Sequence, residues 1–97
     1  MRRAIFQPAA ARDIQEAFEW HEEQQLGLGQ EFLESLRSVI DLTVDHPYAF
    51  PVIYREARRA PVQRFPYGLF YRVHSEQLVV VACMHVRRNP RSWQSRL

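Results

Sequence analysis

Ninety-seven residues, 46% of them hydrophobic and one a cysteine, make a single domain whose core is held without an internal disulfide. No apolar run approaches the ~20 residues of a membrane span, and the basic start lacks the apolar segment of a secretory signal, so a cytoplasmic protein is expected. All 13 basic residues are arginine, which leaves any proton transfer to His, Glu, Asp or Tyr.

The net charge of +2 conceals an asymmetry. Residues 1–45 carry four arginines against nine acids, a net −5. Residues 46–97 carry nine arginines against two acids, Glu56 and Glu76, a net +7. Two readings stand side by side: a basic face for an acidic protein segment or a phosphate backbone, or a solvated surface of Arg-biased composition.

Residues 2–7 read as a first strand, with Ile5 and Phe6 as its apolar content. Pro8 stops it and suits the first turn of a helix, where its missing N–H is not needed. Ala10, Ile14, Ala17, Phe18 and His21 then recur at helical spacing, with Asp13, Glu16, Glu19, Glu22 and Glu23 expected mostly away from that face. Glu22 and Glu23 sit where the helix dipole disfavours acids, a hint that something basic approaches. Gly27-Leu28-Gly29 reads as a tight turn with Gly27 as C-cap. A second helix follows over Gln30 to Asp45, with Phe32, Leu36, Val39, Ile40 and Thr43 as its stripe, widened by Leu33 and Val44. Pro47 ends it. The short connection implies an antiparallel helical hairpin.

Residues 46–54 are expected to be an aromatic-anchored loop. Residues 55–61 are polar, with Arg58 and Arg59 as the exposed lead-in to an alternating strand, Val62 to Phe65. A β-hairpin then turns at Ser75-Glu76 or over the wider His74–Gln77, the wider being favoured because Ser-Glu is a poor two-residue turn. Either turn pairs Val73 with Leu78, Tyr71 with Val80, Leu69 with Ala82 and Tyr67 with Met84. That face is apolar and should pack on the helices. Arg72, Val79, Phe70, Val81, Gly68, Cys83 and His85 fall on the other. The fold class is therefore α+β: an N-terminal strand, an antiparallel helical hairpin, then three antiparallel strands forming one sheet packed on the helices.

His85 is the one acid–base residue near the basic cluster, poised near neutrality for proton transfer or simply structural. Arg72, Arg87, Arg88 and Arg91 can clamp phosphates or stay solvated. Trp93 can stack on a partner or pack back as an anchor for a C-terminal turn. Cys83, in an apolar strand, reads as a small buried hydrophobe. It has no neighbours at zinc-ligand spacing, and no cofactor motif is present.

The chain resembles the RelE/ParE superfamily of type II toxin–antitoxin systems, and its ParE-like branch in particular. The resemblance rests on Ala10 to Ile14 with Trp20, the hinge from Gly27 to Phe32, and the loop His46-Pro47…Phe50-Pro51. It continues through Arg58-Arg59…Arg64-Phe65-Pro66-Tyr67…Tyr71-Arg72-Val73 and ends in His85-x-Arg87-Arg88-x-Pro90-x-x-Trp93. It implies the same α+β fold and a cognate antitoxin with a disordered segment that folds across the toxin, the oligomeric state being set by that complex. ParE-like members poison DNA gyrase; RelE-like members cleave mRNA on the ribosome. In the RelE-like pattern an arginine stands where Gly68 falls, and the His-Tyr slot of some relatives falls on Val86-Arg87, so the catalytic set looks incomplete. The resemblance thus implies a non-catalytic, gyrase-directed toxin of the plasmid-stabilisation kind. Arg58, Arg59, Arg64, Arg72, Arg87, Arg88, Arg91 and Trp93 are its expected contacts to target or antitoxin. The alternatives are a ribosome-dependent endoribonuclease using His85 with Arg72 or Arg87, and an inactive toxin-fold protein that only binds antitoxin. No metal, cofactor or membrane partner is expected in any of the three.

Overall fold

Three helices, the last a single turn, and five strands follow from the local chemistry, and a computed structural model describes them over residues 3–97. Arg2, the expected start of the first strand, lies outside the described residues. Strand β1 spans Arg3–Phe6. Gln7 stays extended, donates its N–H to the Val80 carbonyl at 3.1 Å, and hands over to helix α1, Pro8–Gln24, with Pro8 in its first turn. The face of α1 that meets the sheet is built from small side chains, Ala10 and Ala17, together with His21 and, against expectation, Asp13.

The hinge carries a second correction. Helix α2 starts earlier than expected and spans Leu28–Asp45. Gly27, at φ 90°, is the residue that opens α2, the left-handed conformation that glycine adopts without a Cβ penalty. The Glu22 carboxylate accepts the N–H groups of Gly27 (3.3 Å) and Gly29 (2.9 Å). The acid that looked misplaced at the end of α1 therefore satisfies free donors at the start of α2, and no outside cation is needed. Gly29 is required by contact: a Cβ there would stand 2.7 Å from the Phe18 carbonyl oxygen.

The loop after α2 contains a short strand β2, Val52–Tyr54, and the next strand β3 is Ala57–Val62, so Arg58 and Arg59 lie within the sheet instead of leading into it. Residues 63–66 form a turn in which Arg64 takes φ 70°. Strands β4, Tyr67–His74, and β5, Gln77–His85, make the hairpin through a two-residue turn, with Ser75 at φ 56°. The five strands lie in the order β1-β5-β4-β3-β2, with β1 parallel to β5 and the rest antiparallel.

The expected register holds only near the turn. Val73 opposes Leu78 and Tyr71 opposes Val80, but the ladder then slips, and Phe70 opposes Ala82, Leu69 Cys83, Gly68 Met84 and Tyr67 His85. Val81 is the unmatched residue of a β-bulge, and beyond it every β5 side chain changes face relative to the regular register. The helix-side core thus contains Leu69, Tyr71, Leu78, Val80 and Cys83 with Ala10, Ala17, Phe32, Leu36 and Val39. A second core on the opposite face gathers Phe70, Val81, Ala82 and Met84 with Ala57 and Trp93. Trp93 comes from a short helix α3, Arg91–Gln94, whose start is tied by the Arg91 N–H to Asn89 Oδ1 at 3.0 Å.

Candidate partner-binding face

The bulge decides what His85 can do. It carries the imidazole to the helix side, opposite Tyr67 (ring centroids 5.6 Å apart), where the regular register would have placed it on the other face. Nδ1 accepts the Arg87 backbone N–H at 3.0 Å, which leaves the proton of the neutral ring on Nε2. The surrounding cleft holds about 120 Å³ and is lined by Asp13, Glu16, Tyr67 and Arg88. Burial pushes the Tyr67 hydroxyl pKa up, Cys83 adds to it, and Arg88 opposes it. The Cys83 thiol is pushed to about 12 by burial and then by Asp13, which makes it an inert apolar group.

Arg72 pairs with Val79 on the opposite face, six residues along β5 from His85 and so roughly 20 Å away. The Arg87 side chain is exposed beyond the strand end. His85 and Arg72 do not converge on one reacting atom, whereas Arg87 meets His85 through its backbone N–H. This is a separation, not a loose site.

The other expected contacts divide into those engaged within the fold and those left open. Arg58 donates to the Phe50 carbonyl at 2.6 Å and lies over the Tyr48 ring, while the Tyr71 hydroxyl donates to the Pro47 carbonyl at 2.8 Å; together they hold the loop after α2 against the sheet. Arg64 reaches Glu31 at 3.5 Å and the Ser35 hydroxyl at 3.4 Å, a mostly exposed link to α2. Trp93 is 6% exposed, stacked on Phe70 (centroids 4.5 Å apart) and edge-on to Tyr54, so it packs back as the anchor. Arg59 runs its stem over Gly68: a Cβ on that glycine would meet Arg59 Cδ at 3.0 Å. Gly68 thus makes room for a cation from the neighbouring strand. Arg88 sits beside the His85 cleft, whereas Arg91 flanks the C-terminal turn beside Arg55, so the Arg87-Arg88-Arg91 cluster of the sequence points in different directions.

Two residues missed in the sequence complete the site's frame. Arg96 makes a bidentate pair with Asp13 (2.6 and 3.1 Å) and also donates to the Val81 carbonyl at 3.1 Å, while Asp13 accepts the Cys83 N–H at 3.1 Å. Strand β1 covers β5 only as far as Val80. Beyond it, this pair supplies the bonds a neighbouring strand would have made.

Residues 4–90 match the family described as the ParE toxin of type II toxin–antitoxin systems, parDE. The chain belongs to that family, within the RelE/ParE superfamily. Its structure is similar to a solved structure described as the chromosomal ParDE TA system from P. aeruginosa, with a TM-score of 0.68 at 13% sequence identity, covering 90% of this chain and 98% of that one. At that identity the likeness is one of fold. No curated protein sequence matches the chain significantly.

Proposed function

We propose that the protein is the toxin of a type II toxin–antitoxin pair, that it acts by binding DNA gyrase, and that a cognate antitoxin neutralises it. Family membership carries the toxin–antitoxin part of this reading. The observation that favours binding over cleavage is the separation of His85 from Arg72, on opposite faces and roughly 20 Å apart along the hairpin. Phosphodiester cleavage needs an acid–base group and a cation within reach of the same phosphate; Arg72 is out of reach of His85, and Arg88, which lines the His85 cleft, stands there with the carboxylates of Asp13 and Glu16, which oppose a phosphate. Among the described residues no group of His, Cys, Asp and Glu has metal-site geometry, and no helix is long and apolar enough to cross a membrane.

The direct test is supercoiling of relaxed plasmid by purified gyrase with the toxin added. Loss of supercoiling, relieved by the antitoxin encoded beside the gene, is the expected result. Unimpaired supercoiling at saturating toxin refutes the gyrase target.

A further inference from the structure

The sheet ends on two strands, β1 and β2, and their free edges differ. Strand β2 is three residues long, follows Pro51, pairs irregularly with β3 and is followed by Arg55 at φ 53°. Shortness, proline and irregularity are what keep an edge from pairing further. Strand β1 has none of this protection. It runs in regular register against β5, and Ile5 and Phe6 are each 38% exposed.

Backbone parity fixes which groups of β1 are free. Arg3 and Gln7 donate their N–H groups to the Glu76 and Val80 carbonyls, so in this parallel ladder Ile5 also faces β5. Ala4 and Phe6 therefore direct their N–H and C=O groups away from the sheet. A second β1, laid antiparallel across a two-fold axis at Ile5, sets Ala4 opposite Phe6 and Phe6 opposite Ala4. Each of these pairs exchanges both hydrogen bonds, and Ile5 meets its own copy in the closer, non-hydrogen-bonded position. The small Ala4 leaves room for the Phe6 ring, and Arg3 falls opposite Gln7 instead of another arginine. On the helix side Phe6 borders a groove with Ile14, Leu33 and Ile40, which Arg37 and Asp41 also line. Neither charge is in an ion pair among the described residues, and with the arginine first the spacing is the poorer one for pairing along a helix. Two-fold symmetry reverses their order in the second copy, so a facing copy offers an aspartate to each arginine.

We infer that the protein pairs with a second copy of itself through β1, joining two five-stranded sheets into one continuous sheet. The fit of Ala4 to Phe6, of Ile5 to itself and of Arg37 to Asp41 is a match of this chain to its own image, which a strand of unrelated sequence lacks. So short an edge contact falls below the roughly 1,200 Å² of a standard interface, and a dissociation constant of about 1–100 μM is expected. The inference does not rest on the toxin's target.

Sedimentation velocity of the full-length protein from about 1 to 300 μM brackets that range and should show a monomer passing into a dimer. Ile5→Lys and Ile5→Glu each set like charges opposite one another on the axis and should weaken the dimer at least about tenfold. Mixed in equal amounts, the two variants should associate again, because lysine then faces glutamate. In the wild type, hydrogen exchange at the Ala4 and Phe6 amides should slow as concentration rises while that at Ile5 stays constant, which keeps the test decisive should a variant fold poorly. A wild type that stays monomeric throughout, or a dimer indifferent to both substitutions, overturns the inference. So does association lost in each variant and not recovered on mixing, which would give the edge to a strand of another protein.

Discussion

Asp13 and Arg96, 83 residues apart in the chain, form a bidentate ion pair that closes the edge of strand β5 beyond the reach of β1. The side chains are 7% and 22% exposed, so the pair is largely desolvated, and each partner also satisfies a backbone group of β5. It joins the first helix to the C-terminal turn around the edge of the sheet. Removing one partner leaves a buried charge and a buried peptide group without partners. Arg96→Ala or Asp13→Ala should therefore lower unfolding free energy by about 3 kcal/mol. Urea denaturation checks this, and the double variant should lose clearly less than the sum of the two.

The hinge glycines should respond differently. Gly29→Ala places a Cβ 2.7 Å from both the Phe18 carbonyl oxygen and Glu22 Cγ, and the backbone oxygen cannot rotate away. The helices must separate, at a cost of about 2 kcal/mol. Gly27→Ala meets no atom within 4 Å but must hold φ +90°, which costs about 1 kcal/mol through backbone strain alone. Thermal unfolding of the two variants should rank them in that order.

The two tryptophans test the assignment of Trp93 to the core. Trp93→Ala should cost about 3–5 kcal/mol, as for other buried aromatic truncations. Trp20, 54% exposed on α1, should cost less than about 0.5 kcal/mol when replaced by alanine. Comparable losses at both positions would show that Trp93 is not an anchor.

Much of the fold could be read from the chain, and the failures share a cause. The helical hairpin was legible because Ala10, Ala17, Phe32, Leu36 and Val39 recur at the helix period. The hairpin register was legible near Ser75-Glu76, where the turn sets it. It was lost beyond Val80 because Leu78 to Met84 is apolar throughout and all buried, so no polar–apolar alternation marks the extra residue at Val81. The misplacement of His85 follows from that one bulge. Asp13 looked solvent-facing because its partner lies at the other end of the chain. Strand β3, expected over Val62 to Phe65, lies instead at Ala57–Val62, because Arg58-Arg59-Ala60-Pro61 has neither alternation nor strong β-formers to mark it. The clustered Arg87, Arg88 and Arg91 suggested one patch, yet the turn that brings Trp93 onto Phe70 points them apart. Arg55 was overlooked because nothing in its neighbours announces a left-handed residue.

Stability at high pH should carry the signature of Cys83. Its folded pKa is raised from 9.0 to about 12, by burial first and Asp13 second. The unfolded thiol ionises first, so the contribution is complete below pH 9 and is lost as pH rises from 9 towards 12. Tyr67 and Tyr71, raised mainly by burial, add to the loss above the ordinary tyrosine range. Cys83→Ala should flatten the decline between pH 9 and 11 by up to about 1.4 kcal/mol per pH unit. An unchanged slope in that variant would assign the alkaline loss elsewhere.

In the function proposed above the protein binds its target without cutting RNA, because His85 and Arg72 do not meet. The decisive measurement is mRNA integrity in a translating extract given saturating toxin. Message should stay intact with the wild-type protein and with His85→Ala alike. Cleavage by the wild type that disappears in His85→Ala would contradict it.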